Sequence, residues 1–343
     1  MTSDPTSRAM ASELVETIND SWKTQVIRAA VELGLAEALD NGPAGTHQLA
    51  KMTKTHEPFL RRLLRAMVSL DLCREDPGGV FELTSRGRLL RADDPNSVRS
   101  WCLWWGGDFW PLWGSLADCI RTGESARQRL GVGEGFSRLD SDPARAAVFH
   151  QAMLELTRLA VPELLDNYDY SRHQRIADVG GGQGELLAAI LERNPACTGI
   201  LFDLPHALAN AQAFLHDKGV EARCELVAGD FFNTALPPAD LLLLKSVLHD
   251  WTDERAIELL KSCRKAAGDS GRLLVIEPVL PERMEANPDH RRLARADLNM
   301  LLAHGACERT LSDLGRLLKA GGFSLEQVHS TRGHFSLIEA SPA

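Results

Sequence analysis

The 343-residue sequence has no apolar stretch long enough to cross a bilayer. Its longest apolar runs, such as LLLLKSVL at 241–248, fall far short of the ~20 residues a spanning helix needs. Its seven cysteines (Cys73, Cys102, Cys119, Cys197, Cys224, Cys263 and Cys307) contain no C-x-x-C and no paired spacing. An odd, scattered set argues against a disulfide framework or a zinc site and reads as reduced thiols. Positive charge is not in excess either. The net charge of -9 disfavours a general binder of nucleic acid or anionic membrane, whose phosphates require a basic face. There is no repeat or low-complexity tract, and the opening MTSDPTSRAMASELVETIND lacks the apolar core of a signal peptide. The expectation is a cytoplasmic globular protein with material for two domains.

The first hundred residues read as helices followed by a hairpin. TQVIRAAVELGLAEALDN carries apolar positions at helical spacing up to Gly42-Pro43, GTHQLAKMT is a short helix with Thr46 as the expected N-cap, and HEPFLRRLLRAMVSLDL is a longer one. LCRED, the turn PGG and VFELTSRGRLL then form a hairpin. That order is a winged helix. DNA binding through RRLLR would need a basic footprint, but residues 1–100 hold 13 Lys and Arg against 14 Asp and Glu. Arg62 and Arg65 therefore read as a solvated face, and the unit as a packing or dimerisation module. Next comes WCLWWGGDFWPLWGSL, with five of the seven tryptophans, which suits core, a subunit contact or an apolar wall for a flat ligand.

From about residue 172 strands alternate with helices: RIADVG, TGILFDL, RCELVAGD, ADLLLLKSV and GRLLVIEPV, then SLEQVHS and HFSLIEA with only a short turn between them. Alternation demands a parallel, doubly wound sheet, here with an antiparallel last strand. The loop DVGGGQGELL follows the first of these strands. It lacks the Gly-Lys-Ser/Thr of a P-loop, and Glu185 stands where a dinucleotide fingerprint starting at Gly180 needs glycine. What remains is Gly180, Gly182 and Gly184 preceded by Asp178. An acid beside the loop repels diphosphates and suits a sulfonium with an amino-acid tail. Asp203 ends the second strand, where acids take ribose hydroxyls, and Asp230 follows the third, able to accept from an adenine amino group with Phe231 or Phe232 beside the ring. Three acids at successive strand ends read as a site for S-adenosylmethionine.

With DVGGGQG, FDLPH, AGDFF, LKSVLHDWTDERAIELLKSC, VIEPVLPE, DLNMLLAHGACERT and LLKAGGF, the chain resembles the small-molecule O-methyltransferases of plants and bacteria. The resemblance covers the whole chain. It implies a winged-helix, all-α dimerisation domain at 1–100, connecting helices lining the substrate pocket at 101–165, and a Rossmann-like cofactor-binding catalytic domain at 166–343, acting as a homodimer. It adds Leu204, Gly229 and Lys245 to the cofactor residues. His249 in VLHDW is the implied general base, flanked by Glu277 and Glu308. A helix-dipole charge is the alternative for Glu308, and a surface-seeking strand-end side chain for Lys245. On the acceptor side the resemblance points to Phe149, Met153, Asn299 and Met300, more weakly to Trp104 and Trp105, and to Asp250, which is also read as holding its loop or the neighbouring helix. No metal is called for. The implied activity is methylation of a phenolic hydroxyl of an aromatic or polyketide-like molecule. The loop HGAC before ERT leans towards a bacterial tailoring enzyme. N- or C-methylation, cofactor-assisted hydroxylation, decarboxylation or pericyclic chemistry, and a winged-helix regulator are the alternatives.

Overall fold

The structure is a computed structural model that describes residues 5–132 and 135–343. The chain divides into two compact units, Met1–Trp110 and Pro111–Ala343.

In the first unit, helices Ser21–Glu32, Leu35–Asp40, Thr46–Thr53 and Glu57–Ser69 precede a hairpin of Cys73–Glu75 and Val80–Leu83, whose second strand also pairs with Ala44–Gly45. The helix expected over 24–41 is two helices, because Gly34 adopts φ +65° between them. Thr46 is the first helical residue rather than the cap. Gly45 precedes it in extended conformation, and the Thr46 hydroxyl accepts from Arg61 Nη1 at 3.3 Å. In the helix Glu57–Ser69, Leu60, Leu64 and Met67 recur at helical spacing and are buried, while Arg62 and Arg65 are exposed. The helix Pro5–Asn19 carries an uncovered apolar stripe of Met10, Leu14 and Ile18, each more than half exposed. Trp104–Asp108 forms a π-helical turn. Within it the Gly106 carbonyl accepts from Arg28 Nη1 (2.8 Å) and Gln25 Nε2 (3.0 Å). Trp104 is buried, and Trp105 stacks on Phe109 with centroids 5.4 Å apart.

The second unit holds a seven-stranded sheet. In chain order its strands are β1 (Arg175–Val179), β2 (Thr198–Asp203), β3 (Cys224–Ala228), β4 (Leu241–Lys245), β5 (Arg272–Glu277), β6 (Phe323–Ser330) and β7 (Ser336–Pro342). Their spatial order is β6-β7-β5-β4-β1-β2-β3. All pairs are parallel except those made by β7. Leu241–Leu244 is fully buried, as a central parallel strand covered on both faces must be. One face packs on α1 (Pro143–Asp166), α2 (Glu185–Arg193) and α3 (Ala211–Asp217). The other packs on α4 (Asp253–Ala267) and α6 (Leu311–Ala320), while α5 (Pro288–His304) runs between β5 and α6 in the chain. Strand order reverses at β1, whose neighbours are β2 and β4. That places a crevice at the carboxyl ends of β1, β2 and β4, where doubly wound sheets bind ligands.

Candidate active site

On the β1–β2–β3 side the glycine loop turns away from the sheet through three left-handed residues, Gly180 (φ +76°), Gly182 (φ +61°) and Gly184 (φ +90°). A Cβ at Gly180 would lie 2.9 Å from Val247 Cγ2, so the loop can approach the turn after β4 only without a side chain. A Cβ at Gly182 would meet nothing within 4 Å, which leaves open space beside the loop backbone. Asp203 holds that backbone in place. Its Oδ2 accepts from Gly182 N–H (2.7 Å) and its Oδ1 from Leu204 N–H (2.6 Å). Burial keeps Asp203 above the ordinary carboxylate value in spite of those bonds. Asp230, after β3 and Gly229, turns its carboxylate to its own loop, accepting from Phe232 N–H (2.9 Å) and Asn233 Nδ2 (2.6 Å). Phe231 and Phe232 form an edge-to-face trio with Trp251, and the Arg255 guanidinium lies 3.4 Å from the Phe232 ring centroid.

Asp178 is buried at the end of β1, and burial pushes it up to about 7 against the pull of Lys245. Lys245 does not reach out to solvent. Its ammonium donates to Thr157 Oγ1 at 3.1 Å and lies 4.9 Å from the Phe335 ring centroid, and burial pushes it down to about 8 against the charges of Glu277 and Asp178.

On the β4–β5 side a short 3₁₀ turn, Leu248–Asp250, presents His249. The residue two before it, Ser246, has φ +55°, a strained value for a non-glycine next to a site. Glu277, at the end of β5, caps the turn. Its Oε1 accepts from the N–H groups of Val247 (3.0 Å), Leu248 (3.0 Å) and His249 (3.4 Å). Its Oε2 lies 3.2 Å from His249 Nδ1, and Glu308 Oε1 approaches the same nitrogen at 2.9 Å. Both carboxylates are almost fully buried, and the Oε2 of each lacks a hydrogen-bond partner among the described residues. The donor atoms of these three side chains lie within 4.8 Å of one another, a spacing that would also suit a cation. Glu308 is not a helix-dipole charge. Thr310 caps α6 with Asp313 in a capping box, and Glu308 lies before that cap.

The neighbouring Arg309 secures the same turn from below. It donates to the carbonyls of Leu248 (2.8 Å) and Trp251 (2.7 Å) and pairs with Asp253. Neither Arg309 nor Thr157 could be singled out from the chain, because each acts on backbone or side chains more than fifty residues away. The motif ERT is thus three jobs in sequence: a carboxylate for His249, a clamp for its turn and a cap for the next helix.

Burial alone would push His249 down, but the charges of Glu277, Glu308 and Asp250 outweigh it and lift the imidazole to about 10. Burial raises Glu277, against the pull of His249.

Nε2 faces the other way. Asp250 Oδ1 lies 3.8 Å from it and 3.4 Å from His304 Nε2, so Asp250 looks towards the imidazoles rather than to its loop or the next helix. Around them Phe136 packs on His304 (5.4 Å), Phe149 (5.9 Å) and Trp251 (6.3 Å). Met153 and Asn299 are half-buried, and the Asn299 Oδ1 has no partner among the described residues. Met300 closes the end of α5, its carbonyl accepting from Ala306 N–H at 3.4 Å. Trp104 and Trp105 belong to the first compact unit.

Comparison with known proteins gives these two units their family. Residues 113–324 match an O-methyltransferase domain and residues 15–93 an O-methyltransferase dimerisation domain. Phenazine O-methyltransferase PhzM of Lysobacter antibioticus is 36% identical, over 97% of this chain and 96% of that one. The 8-amino-8-demethylriboflavin N,N-dimethyltransferase of Streptomyces davaonensis is 33% identical, over 97% and 95%. Human N-acetylserotonin methyltransferase, solved in complex with SAM, superposes with a TM-score of 0.88 at 28% identity, covering 100% of this chain and 99% of that one. With both of its units matched and nearly its whole length aligned, the chain belongs to the O-methyltransferase family.

Proposed function

We propose that the protein is an S-adenosylmethionine-dependent O-methyltransferase acting on a phenolic hydroxyl of an aromatic or polyketide-like small molecule, as a homodimer. The observation that carries this is His249, held on its turn with Nδ1 between two buried carboxylates and Nε2 on the side of Asp250 and His304, against whose ring Phe136 packs. Bound in the crevice, the cofactor supplies a methyl group activated by its sulfonium. The residues suit it: Asp178 and Asp203 would offer carboxylates to its cationic and hydroxyl groups, and the open space at Gly182 would leave it room.

The chain's own residues then have two tasks. Asp203, Asp230, Lys245 and the loop hold the cofactor side in register, and positioning alone supplies much of the rate in an in-line displacement. In its neutral form, which grows as pH rises towards about 10, His249 keeps its proton on Nδ1 facing Glu308 and Glu277 and offers the Nε2 lone pair to the phenol as the oxygen attacks. Glu308 and Glu277 hold that tautomer and compensate the charge the imidazole gains. Dimerisation is supported by the matched dimerisation domain and the uncovered stripe Met10, Leu14 and Ile18. Ile18→Arg is expected to shift the sedimentation of the purified protein from dimer towards monomer.

The decisive assay supplies methyl-deuterated S-adenosylmethionine with a panel of phenols, quinones and arylamines, read by mass spectrometry. Label on oxygen, with His249→Ala slower by about 10²–10⁴-fold, is the expected result. The dimethyltransferase relative gives substance to a second reading, methylation of an aromatic amine. Label on nitrogen with little effect of His249→Ala would favour it.

A further inference from the structure

At the end of β4 the fold turns an ammonium inward and meets it from three directions. Thr157, from α1, accepts a hydrogen bond from Lys245 Nζ at 3.1 Å. Ser246, the next residue in the chain, offers its Oγ at 3.5 Å, the limit of hydrogen-bond range. From the turn between β6 and β7, the ring of Phe335 lies beneath the same nitrogen, 4.9 Å from Nζ to centroid.

That turn is fixed in place. Ser336, the first residue of β7, pairs with Glu277 at the end of β5, so residues 331–335 stand at the carboxyl edge of the sheet. Thr331 Oγ1 donates to the Phe335 carbonyl (2.6 Å) and accepts from Gly333 N–H (3.1 Å). Arg292 of α5 donates to the Gly333 carbonyl at 3.3 Å. On the other side α1 presses close, and a Cβ at Gly333 would lie 2.1 Å from Glu163 Oε2. Phe335 itself is half-buried against the core on the α1 face. A ring held this firmly presents a fixed face, whose π electrons attract a cation.

An ammonium has three protons to donate. Thr157 takes one and Ser246 a second, weakly, while the Phe335 ring attracts the charge without accepting a directed bond. Glu277 turns one oxygen to backbone N–H groups and the other towards His249. One N–H of Lys245 is thus left for an acceptor from outside. The group is a cation at pH 7, since burial brings it down only to about 8. Asp178 ends β1, the strand beside β4, so an acid and a base stand at neighbouring strand ends. The ligand chemistry that matches such a pair is a zwitterion with an ammonium and a carboxylate on one carbon, as in the amino-acid tail of S-adenosylmethionine.

We propose that Phe335 is a positioning residue for the cofactor, whose ring fixes the Lys245 ammonium so that it takes the carboxylate of the cofactor's amino-acid tail. The proposal rests on the S-adenosylmethionine reading and adds to it a residue from the last turn of the sheet, far along the chain from the glycine loop.

The test is calorimetric and needs no turnover. S-adenosylhomocysteine and methylthioadenosine share adenine, ribose and thioether and differ by the amino-acid tail, so the ratio of their Kd values at pH 7 reads the tail alone. Wild type is expected to favour S-adenosylhomocysteine by about tenfold or more. Lys245→Met is expected to remove most of that preference. Phe335→Leu is expected to weaken S-adenosylhomocysteine about fivefold while the Kd of methylthioadenosine moves less than about twofold. Phe335→Tyr, which keeps the ring face, should restore the wild-type ratio. On a Lys245→Met background, Phe335→Leu should leave the ratio where it is. Melting temperature reports whether each variant is folded. A wild-type ratio near one, an equal loss of both ligands in Phe335→Leu, an unchanged ratio in either single variant, or a Phe335→Tyr that behaves as Phe335→Leu overturns the proposal and leaves the cofactor reading standing. A wild type that binds neither ligand overturns both.

Discussion

The two edges of the crevice are built on opposite principles. On the cofactor edge, Asp203 and Asp230 spend their carboxylates on nearby backbone N–H groups or a side chain three residues on, and each acid has a strand end to itself. On the acceptor edge, His249, Glu277 and Glu308 come from three separated segments, and two carboxylate oxygens remain without a hydrogen-bond partner among the described residues. The first edge is a shaped receptacle in which Asp203 and Asp230 are already tied to their loops. The second stores unbalanced charge around one nitrogen. Changes in the receptacle are expected to show first in cofactor affinity, and changes in the charged cluster first in kcat.

That contrast can be broken from either side. The largest effect is expected for Glu277→Ala, which removes a carboxylate from His249 and three hydrogen bonds from its turn. The kcat should fall by roughly 10³-fold or more and the melting temperature should drop, while the Kd for S-adenosylhomocysteine, read by calorimetry, moves less than threefold. Equal losses in kcat and cofactor affinity would mean that the two edges are one unit.

Asp178→Asn probes the receptacle. Because burial lifts Asp178 to about 7, its negative charge appears as pH rises through that value, and affinity for the cationic cofactor should strengthen over the same range. The variant should bind about tenfold more weakly at alkaline pH, a cost of roughly 1.4 kcal/mol, and lose the dependence. A pH-independent wild-type Kd would remove Asp178 from the cofactor edge.

The smallest change is a displacement of the pH profile. The carboxylates lift His249 to about 10, so the neutral, proton-accepting form grows as pH rises and kcat/KM should climb from neutral towards alkaline conditions. Glu308→Gln takes away one lifting charge, so the limb should move to lower pH by about one unit even as the plateau falls. A limb that stays in place would show that Glu308 acts by geometry alone.

Much of this was legible in the chain, and the difference between the edges explains which parts. The cofactor edge is local: a strand, a glycine turn, and an acid at each of three strand ends, with Asp203 tied to Gly182 only twenty-one residues away. Such features follow from backbone rules and appear as contiguous motifs. The sequence could also identify His249, Glu277 and Glu308 through resemblance, but not that Glu277 caps the very turn that carries His249, nor that Arg309 grips it from the other side. The helix break at Gly34 escaped because apolar spacing runs straight through it.

By itself, then, the sequence determined what depends on neighbours in the chain. It fixed the doubly wound sheet through its alternating apolar strands, the receptacle through the glycines and acids at the strand ends, and the helical first unit through its apolar period. Only the tertiary structure decided what depends on charge density at a point. Three segments meet at one imidazole, Asp250 turns towards His304 rather than to its own loop, and Lys245 turns inward to Thr157. The reason is physical. Backbone geometry is set by each residue and its near neighbours, whereas the charge and hydrogen-bonding state of a buried group are set by whatever the fold packs within a few ångströms of it, however far away in the chain.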